Sequence, residues 1–290
     1  MLPKVAALTA MALCCFAANS LLCRLALAER HIDAATFTAV RLVSGAVVLS
    51  VLALRKRRSE SAQTTWLSAI VLFAYAAPFS FAYLRLGAAM GALILFASVQ
   101  VTMIGWGVAR GERPPALAWL GIVLALAGLV WLTAPGATAA DPLGTAGMAV
   151  AGVAWGAYSL RGRTSSGDPL LVTAGSFARA LPFIAVLVLT AMTVLEIHAS
   201  TRGVVLAILS GAIASGVGYA LWYAALPSMT AARAAILQLL VPILATVGAV
   251  TWLGESVSVR FLLATAAILG GIALTILAGR NRPANAGARR

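Results

Sequence analysis

The chain has 290 residues, of which 62% are hydrophobic and 10% charged, and its mean hydropathy is +0.98. That composition excludes a water-soluble fold and predicts an α-helical membrane protein with several crossings. The net charge of +13 would suit a nucleic-acid partner, but the basic residues gather at the ends of apolar runs, which makes them a signal of topology instead.

Apolar runs between polar breaks predict ten spans, at about 5–28, 35–54, 64–84, 88–109, 116–133, 144–160, 170–195, 203–225, 231–253 and 259–279. Each comes close to the ~20 residues that a ~30 Å hydrocarbon layer requires. In lipid each segment must satisfy its own backbone polar groups, so spans of this length are helices. The first follows Lys4 as a signal peptide would, yet nine further spans behind it predict a retained helix. It carries Cys14, Cys15 and Cys23, which read as small packing residues, and the polar pair Asn19 and Ser20. Arg41 enters the second span. Tyr75, Phe79 and Tyr83 form one stripe of the third, which also contains Pro78. The fourth holds Gln100 and meets the fifth through Gly111 and Glu112.

A Pro, Gly and Ala-rich linker at 137–143 separates this first unit, 1–136, from a second, 144–280, and a basic tail at 281–290 is expected to be disordered and cytoplasmic. The sixth span carries Trp155 and Tyr158, with Gly152 and Gly156 spaced for close helix approach. The seventh holds Arg179 and Pro182, and the eighth holds Tyr219, Trp222 and Tyr223 beside Gly211, Gly216 and Gly218. The ninth holds Arg233, Gln238 and Pro242 and turns through Gly254 and Glu255 into the tenth, where Gly271 lies.

The second hairpin repeats the first. A shift of 143 lays Ala88–Thr133 on the later stretch without a gap, with nine of 46 pairs identical, and Gly111 and Glu112 fall on Gly254 and Glu255. Weaker echoes set Phe16 on Trp155 and Arg24 on Arg163 at a spacing of 139, and Arg41 on Arg179 at 138. Five spans per unit is an odd number, so two units of like fold must cross in opposite senses: an inverted repeat suited to alternating access. Thirteen Lys and Arg residues flank one side and five the other, which predicts that both termini are cytoplasmic.

The chain resembles the EamA family of the drug/metabolite transporter superfamily. Trp155-Gly156, Arg179, Pro242, Gly254-Glu255 and Gly271 carry the likeness in the second unit, while the first departs from it with Phe16 and Val99 at the Trp and Pro positions. The resemblance implies ten transmembrane helices as two inverted five-helix repeats, no cofactor, no enzymatic activity and a small-molecule substrate carried across a bacterial-type inner membrane. A monomer would suffice, since both repeats lie in one chain. Among such carriers the chain looks most like the YddG-type amino-acid exporters; drug efflux and exchange of anionic metabolites or nucleotide sugars are the alternatives.

None of the eight acids, Glu29, Asp33, Glu60, Glu112, Asp141, Asp168, Glu196 and Glu255, falls mid-span. Transport without a proton-carrying buried carboxylate is therefore expected. The candidate cavity residues are Asn19, Ser20, Tyr75, Phe79, Gln100, Trp155, Tyr158 and Gln238, each equally readable as helix packing. Arg41 and Arg179 either snorkel or line opposite entrances. Pro78 and Pro242 are kinks that either shape packing or mark gating hinges. Tyr83, Trp222 and Tyr223, near span ends, are expected in an interfacial belt, and Glu112 and Glu255 are expected to anchor their turns.

Overall fold

In the computed structural model, residues 3–54, 64–111, 113–134, 140–164, 167–229 and 231–280 are described, the last segment and 163–164 partly as backbone alone. Glu60, Glu112, the cluster at 55–58, the 137–139 stretch of the linker and the tail at 281–290 lie outside the described residues, as do the side chains of Arg163 and Arg233. Among the described residues nine helices are long and apolar enough to cross a membrane, and a shorter apolar one, Trp66–Ala82, makes ten.

In chain order the spans are Pro3–Ala28, Ala34–Leu54, Trp66–Ala82, Ala88–Ala109, Ala116–Thr133, Pro142–Thr164, Pro169–Val194, the composite Thr201–Ser228, Ala231–Gln238 continued by Leu240–Leu253, and Val259–Arg280. The third, sixth, seventh and eighth start at side chains that accept the orphan amides of a first turn. Thr65 accepts from the Ser68 amide at 3.2 Å, Asp141 from Gly144 at 2.7 Å, Asp168 from Leu170 at 2.8 Å and Ser200 from Gly203 at 3.1 Å. Gly111 and Gly254, matched in the sequence, both take positive φ, 90° and 63°, in the hairpin turns. That left-handed backbone favours glycine, which gives the match its physical cause.

Two spans are irregular. The ninth breaks between Gln238 and Leu240. Pro242 accounts for the break, since its ring crowds the carbonyl four residues back, that of Gln238, and it offers no amide to that carbonyl. Inside the eighth span, Leu209–Val217 winds as a π-helix. Its sequence repeats Ser-Gly at an interval of five, Ser210-Gly211 and Ser215-Gly216, and all four residues are buried. Five is the hydrogen-bond interval of a π-helix, so this winding holds both pairs toward one packed face.

The contacts between spans survive exchange of the two halves. The third packs on the sixth as the first does on the eighth, the fourth on the sixth as the first on the ninth, and the third on the seventh as the second on the eighth. Repeat partners pack antiparallel. The start of the second span bonds past the end of the seventh, Asp33 N–H to the His198 carbonyl at 2.9 Å, while Gly45 faces Phe177 and Thr64 faces Gly175. The fifth runs against the tenth, with Ala118 at Thr275, Gly121 at Gly271 and Gly128 at Ala264. A Cβ on Gly271 would sit 2.5 Å from the Gly121 carbonyl oxygen, so the small residues let the two backbones meet.

Candidate functional site

Where the first, third, sixth and eighth spans converge, Phe16, Tyr75, Phe79, Trp155 and Tyr219 form a nest of aromatic rings. Trp155 lies 5.0 Å from Tyr75 and 4.9 Å from Tyr219 between centroids, and Phe16 meets Tyr219 edge-on at 5.8 Å. Such pairs contribute roughly 0.5–1.5 kcal/mol each beyond area burial. They enclose a small cavity, about 20 Å³, that Asn19 and Ser20 also line. This is room for one water.

Threaded through the rings is a buried chain of hydrogen bonds. Ser210 donates to Asn19 Oδ1 at 2.7 Å, Asn19 Nδ2 donates to the Tyr75 hydroxyl at 3.2 Å, and Arg41 Nη2 donates to the same hydroxyl at 2.8 Å. Arg41 Nε reaches Ser215 Oγ at 3.4 Å. Both ends of the chain therefore sit on the π-helical segment. Its close approach depends on Gly211, where a Cβ would stand 2.0 Å from the Arg41 carbonyl oxygen and 2.1 Å from Ser44 Oγ.

Arg41 is placed far more deeply than an entrance or a snorkelling position would have it. It is 1% exposed, and its guanidinium carbon lies 4.6 Å from the Phe79 ring centroid and 5.2 Å from that of Tyr75. A charge buried in this way costs several kcal/mol in lost hydration. Two ring faces, at ~2 kcal/mol or more when desolvated, and the bond to Tyr75 offset that cost. Arg179, its partner in the repeat, is half-buried on the seventh span and takes no part in this network.

The remaining candidates distribute around the nest. Tyr158 stacks on Trp155 at 5.7 Å and lines a separate small void with Ser68 and Tyr223. Gln100 is buried one turn from Phe96, which lines the central cavity. Gln238 lines a cavity of about 250 Å³ that shares Trp155 and Tyr219 with the central one and extends to Pro227 and Met229, on the face where the chain enters and leaves. Trp155 and Tyr219 thus partition the two spaces. Pro78 lines a third cavity, about 730 Å³, on the opposite face beside Gly147, and Pro242 lies buried in the ninth span.

That opposite side is closed over the nest by Tyr83, whose ring meets Phe79 at 4.8 Å. Arg24 donates to the Tyr83 carbonyl at 2.8 Å and pairs with Glu255 at 3.7 Å, while Glu255 accepts the amides of Ala88 at 2.7 Å and Ala89 at 3.3 Å. The Glu255 carboxylate reaches away from the turn it was expected to anchor, for it caps the fourth span of the other repeat.

Here the belt expectation fails for two of its three residues: Tyr83 is 0% and Trp222 6% exposed, and Trp222 packs on Phe16 at 5.8 Å, while Tyr223 is half-buried. Distance from a span's end does not report depth when the chain folds back, as it does at Tyr83–Leu86 through the Leu86 amide and the Ala82 carbonyl. Tyr219, Phe16, Ser210 and Ser215 belong to the nest and were not among the candidates. Two of them had a signal: Phe16 is the counterpart of Trp155 in the repeat, and Tyr219 falls within one residue of the position matching Tyr75.

A family model described as the EamA-like transporter family matches residues 4–134 and again 142–277. The uncharacterized protein PA1977 of Pseudomonas aeruginosa is 50% identical over 282 residues, 97% of each chain. A solved crystal structure covering 92% of this chain and 98% of its own superposes with a TM-score of 0.62 at 21% identity, a likeness of fold alone.

Proposed function

Because the chain belongs to the EamA-like transporter family and is a multi-pass membrane transporter, we propose that it exports small metabolites, namely amino acids including aromatic ones, from the cytoplasm across a bacterial-type inner membrane. The observation that carries this reading is the aromatic and polar nest at the junction of the two five-span repeats. It is flanked by a cavity on each face and joined to one of them only through Trp155 and Tyr219. A carrier needs such a central site with a closable barrier on either side, and the antiparallel packing of repeat partners supports two inverted repeats that exchange packings to move those barriers.

Trp155 and Tyr219 form the barrier toward the cytoplasmic face. Tyr83, held by Arg24 and Glu255, forms the barrier toward the outer one. Pro242 and the break it makes at Leu239 hinge the ninth span beside the inner cavity, and Pro78 bends the third beside the outer. Both termini are cytoplasmic, and Arg179 attracts anionic groups toward the inner entrance. The aromatic walls favour amino acids over sugars, and the acids of the described spans, all at their ends, favour exchange or facilitated diffusion over proton antiport.

The test is counterflow in liposomes. Purified protein preloaded with an unlabelled amino acid should accumulate labelled amino acid saturably, and Trp155→Ala should slow it at least ~10-fold. Absence of amino-acid flux in demonstrably folded protein, with flux of drugs or nucleotide sugars, would replace the substrate while leaving the carrier.

A further inference from the structure

Arg41 is a cation with no ion-pair partner among the described residues, and the polar groups around it account for only part of its donors. Nη2 serves the Tyr75 hydroxyl and Nε reaches Ser215, but Nη1 has no acceptor although the side chain is wholly buried. The nearest acid along its own helix is Asp33, two turns away. Both of its oxygens are engaged, Oδ1 by the Thr36 amide at 2.8 Å and Oδ2 by the His198 amide at 3.1 Å. Ser20 Oγ, which lines the central cavity, has the buried Tyr83 hydroxyl for a neighbour. A charged donor left unsatisfied at this junction, Arg41 Nη1, is costly unless something polar completes it.

The rings against the guanidinium, Tyr75 and Phe79, are themselves walls of the cavity, which Arg41 does not itself line, so the charge is screened from that space by those two rings. We infer that Arg41 receives a single negative charge when the Tyr75 and Phe79 rings move aside, and that the substrate class is a small carboxylate with an apolar or aromatic body. The charge arithmetic favours one carboxylate over a dianionic group. One guanidinium with neutral Asn19, Ser20 and Tyr75 around it balances one negative charge, and a phosphate dianion would leave the second uncompensated in a low-dielectric site. Phe16, Phe79, Trp155 and Tyr219 supply faces for the apolar body. Displacing Trp155 and Tyr219 would join the central space to the neighbouring 250 Å³ and admit such a molecule. A carboxylate on Nη1 makes a charge-assisted bond that an amide of the same shape cannot reproduce.

This inference rests on the carrier reading, and its test separates the two. Thermal unfolding of the purified protein would be followed in the presence of phenylalanine, phenylalaninamide, 3-phenylpropionate and 3-phenylpropionamide, with counterflow of the same four in liposomes. The acids should stabilise the protein at concentrations at least ~10-fold lower than their amides, and Arg41→Gln should bring that ratio toward one while Arg41→Lys retains part of it. A merely structural arginine would alter stability without altering the ratio. Should both Arg41 variants fail to fold, the ratio in the unaltered protein decides. Acids and amides binding alike, with counterflow intact, would overturn the carboxylate site and leave the carrier. Acid-selective binding without counterflow would support the site and remove the carrier. Binding by none of the four, with no counterflow, would overturn both.

Discussion

Tyr75 is the residue on which the nest turns, since its hydroxyl oxygen accepts from both Asn19 and Arg41. Tyr75→Phe keeps the ring contacts and strands two buried donors, one of them charged. The expected cost is ~1–3 kcal/mol of stability, read from unfolding in detergent; a change within ~0.5 kcal/mol would show that water replaces the hydroxyl. At this scale the sequence was informative wherever polarity and aromaticity stood out against an apolar background. Asn19, Ser20, Tyr75, Phe79 and Trp155 were all marked by that contrast, and all line one cavity. Arg41 stood out too, but hydropathy counts residues from a span's end and is blind to what a side chain leans on. Two rings from another helix hold the guanidinium inside.

Among the elements, the eighth span shows what a periodic reading misses. An α-helical wheel separates Ser210 from Ser215, whereas the π winding brings both to the face where Asn19 and Arg41 wait. The Ser-Gly interval of five is visible in the sequence, but only packing against the second span selects the π form over the α form. Gly211→Ala should therefore cost ~1–3 kcal/mol, because the added methyl meets backbone and cannot be accommodated by a side-chain rotation. Gly270→Ala is the control. No heavy atom lies within 4 Å of a Cβ there, and the change should be neutral or stabilising by up to ~1 kcal/mol. Equal losses in the two variants would remove the close-approach account.

The Glu255 clamp is likewise a tertiary fact. The Gly-Glu turn was legible as a repeat, but nothing in the spacing says that the carboxylate reaches across to the amides of Ala88 and Ala89. Removing a cap of this kind costs ~1–2 kcal/mol, while the partly buried Arg24–Glu255 pair, with 25% and 19% of its side chains exposed, meets only at 3.7 Å, too long for a hydrogen bond. Glu255→Ala should accordingly destabilise more than Arg24→Ala, and the reverse order in detergent unfolding would assign the clamp to the ion pair.

For the whole molecule, the two-unit organisation was readable from apolar run lengths, an odd span count and the matched hairpins, because membrane thickness imposes those features directly on sequence. Which faces meet was not readable. Spans that are apolar all round carry little amphipathic signal, and small-residue contacts such as Gly121 with Gly271 are chosen by fit. The acids of the described spans sit at their ends, and the buried one, Asp33, has both oxygens engaged by backbone amides; this gives a prediction for the intact carrier: exchange rates should stay within ~2-fold between pH 6 and pH 8, since no described carboxylate lies mid-span. Flux that requires an imposed pH gradient would contradict it.

The measurement that bears most directly on alternating access is reciprocal accessibility. In a background lacking Cys14, Cys15 and Cys23, single cysteines at Gln238, on the inner cavity, and at Gly147, on the outer, would be labelled with an impermeant thiol reagent, with and without an amino acid that supports counterflow. The account predicts that substrate changes the two labelling rates in opposite directions. Rates that rise or fall together, or that ignore the substrate, would contradict it.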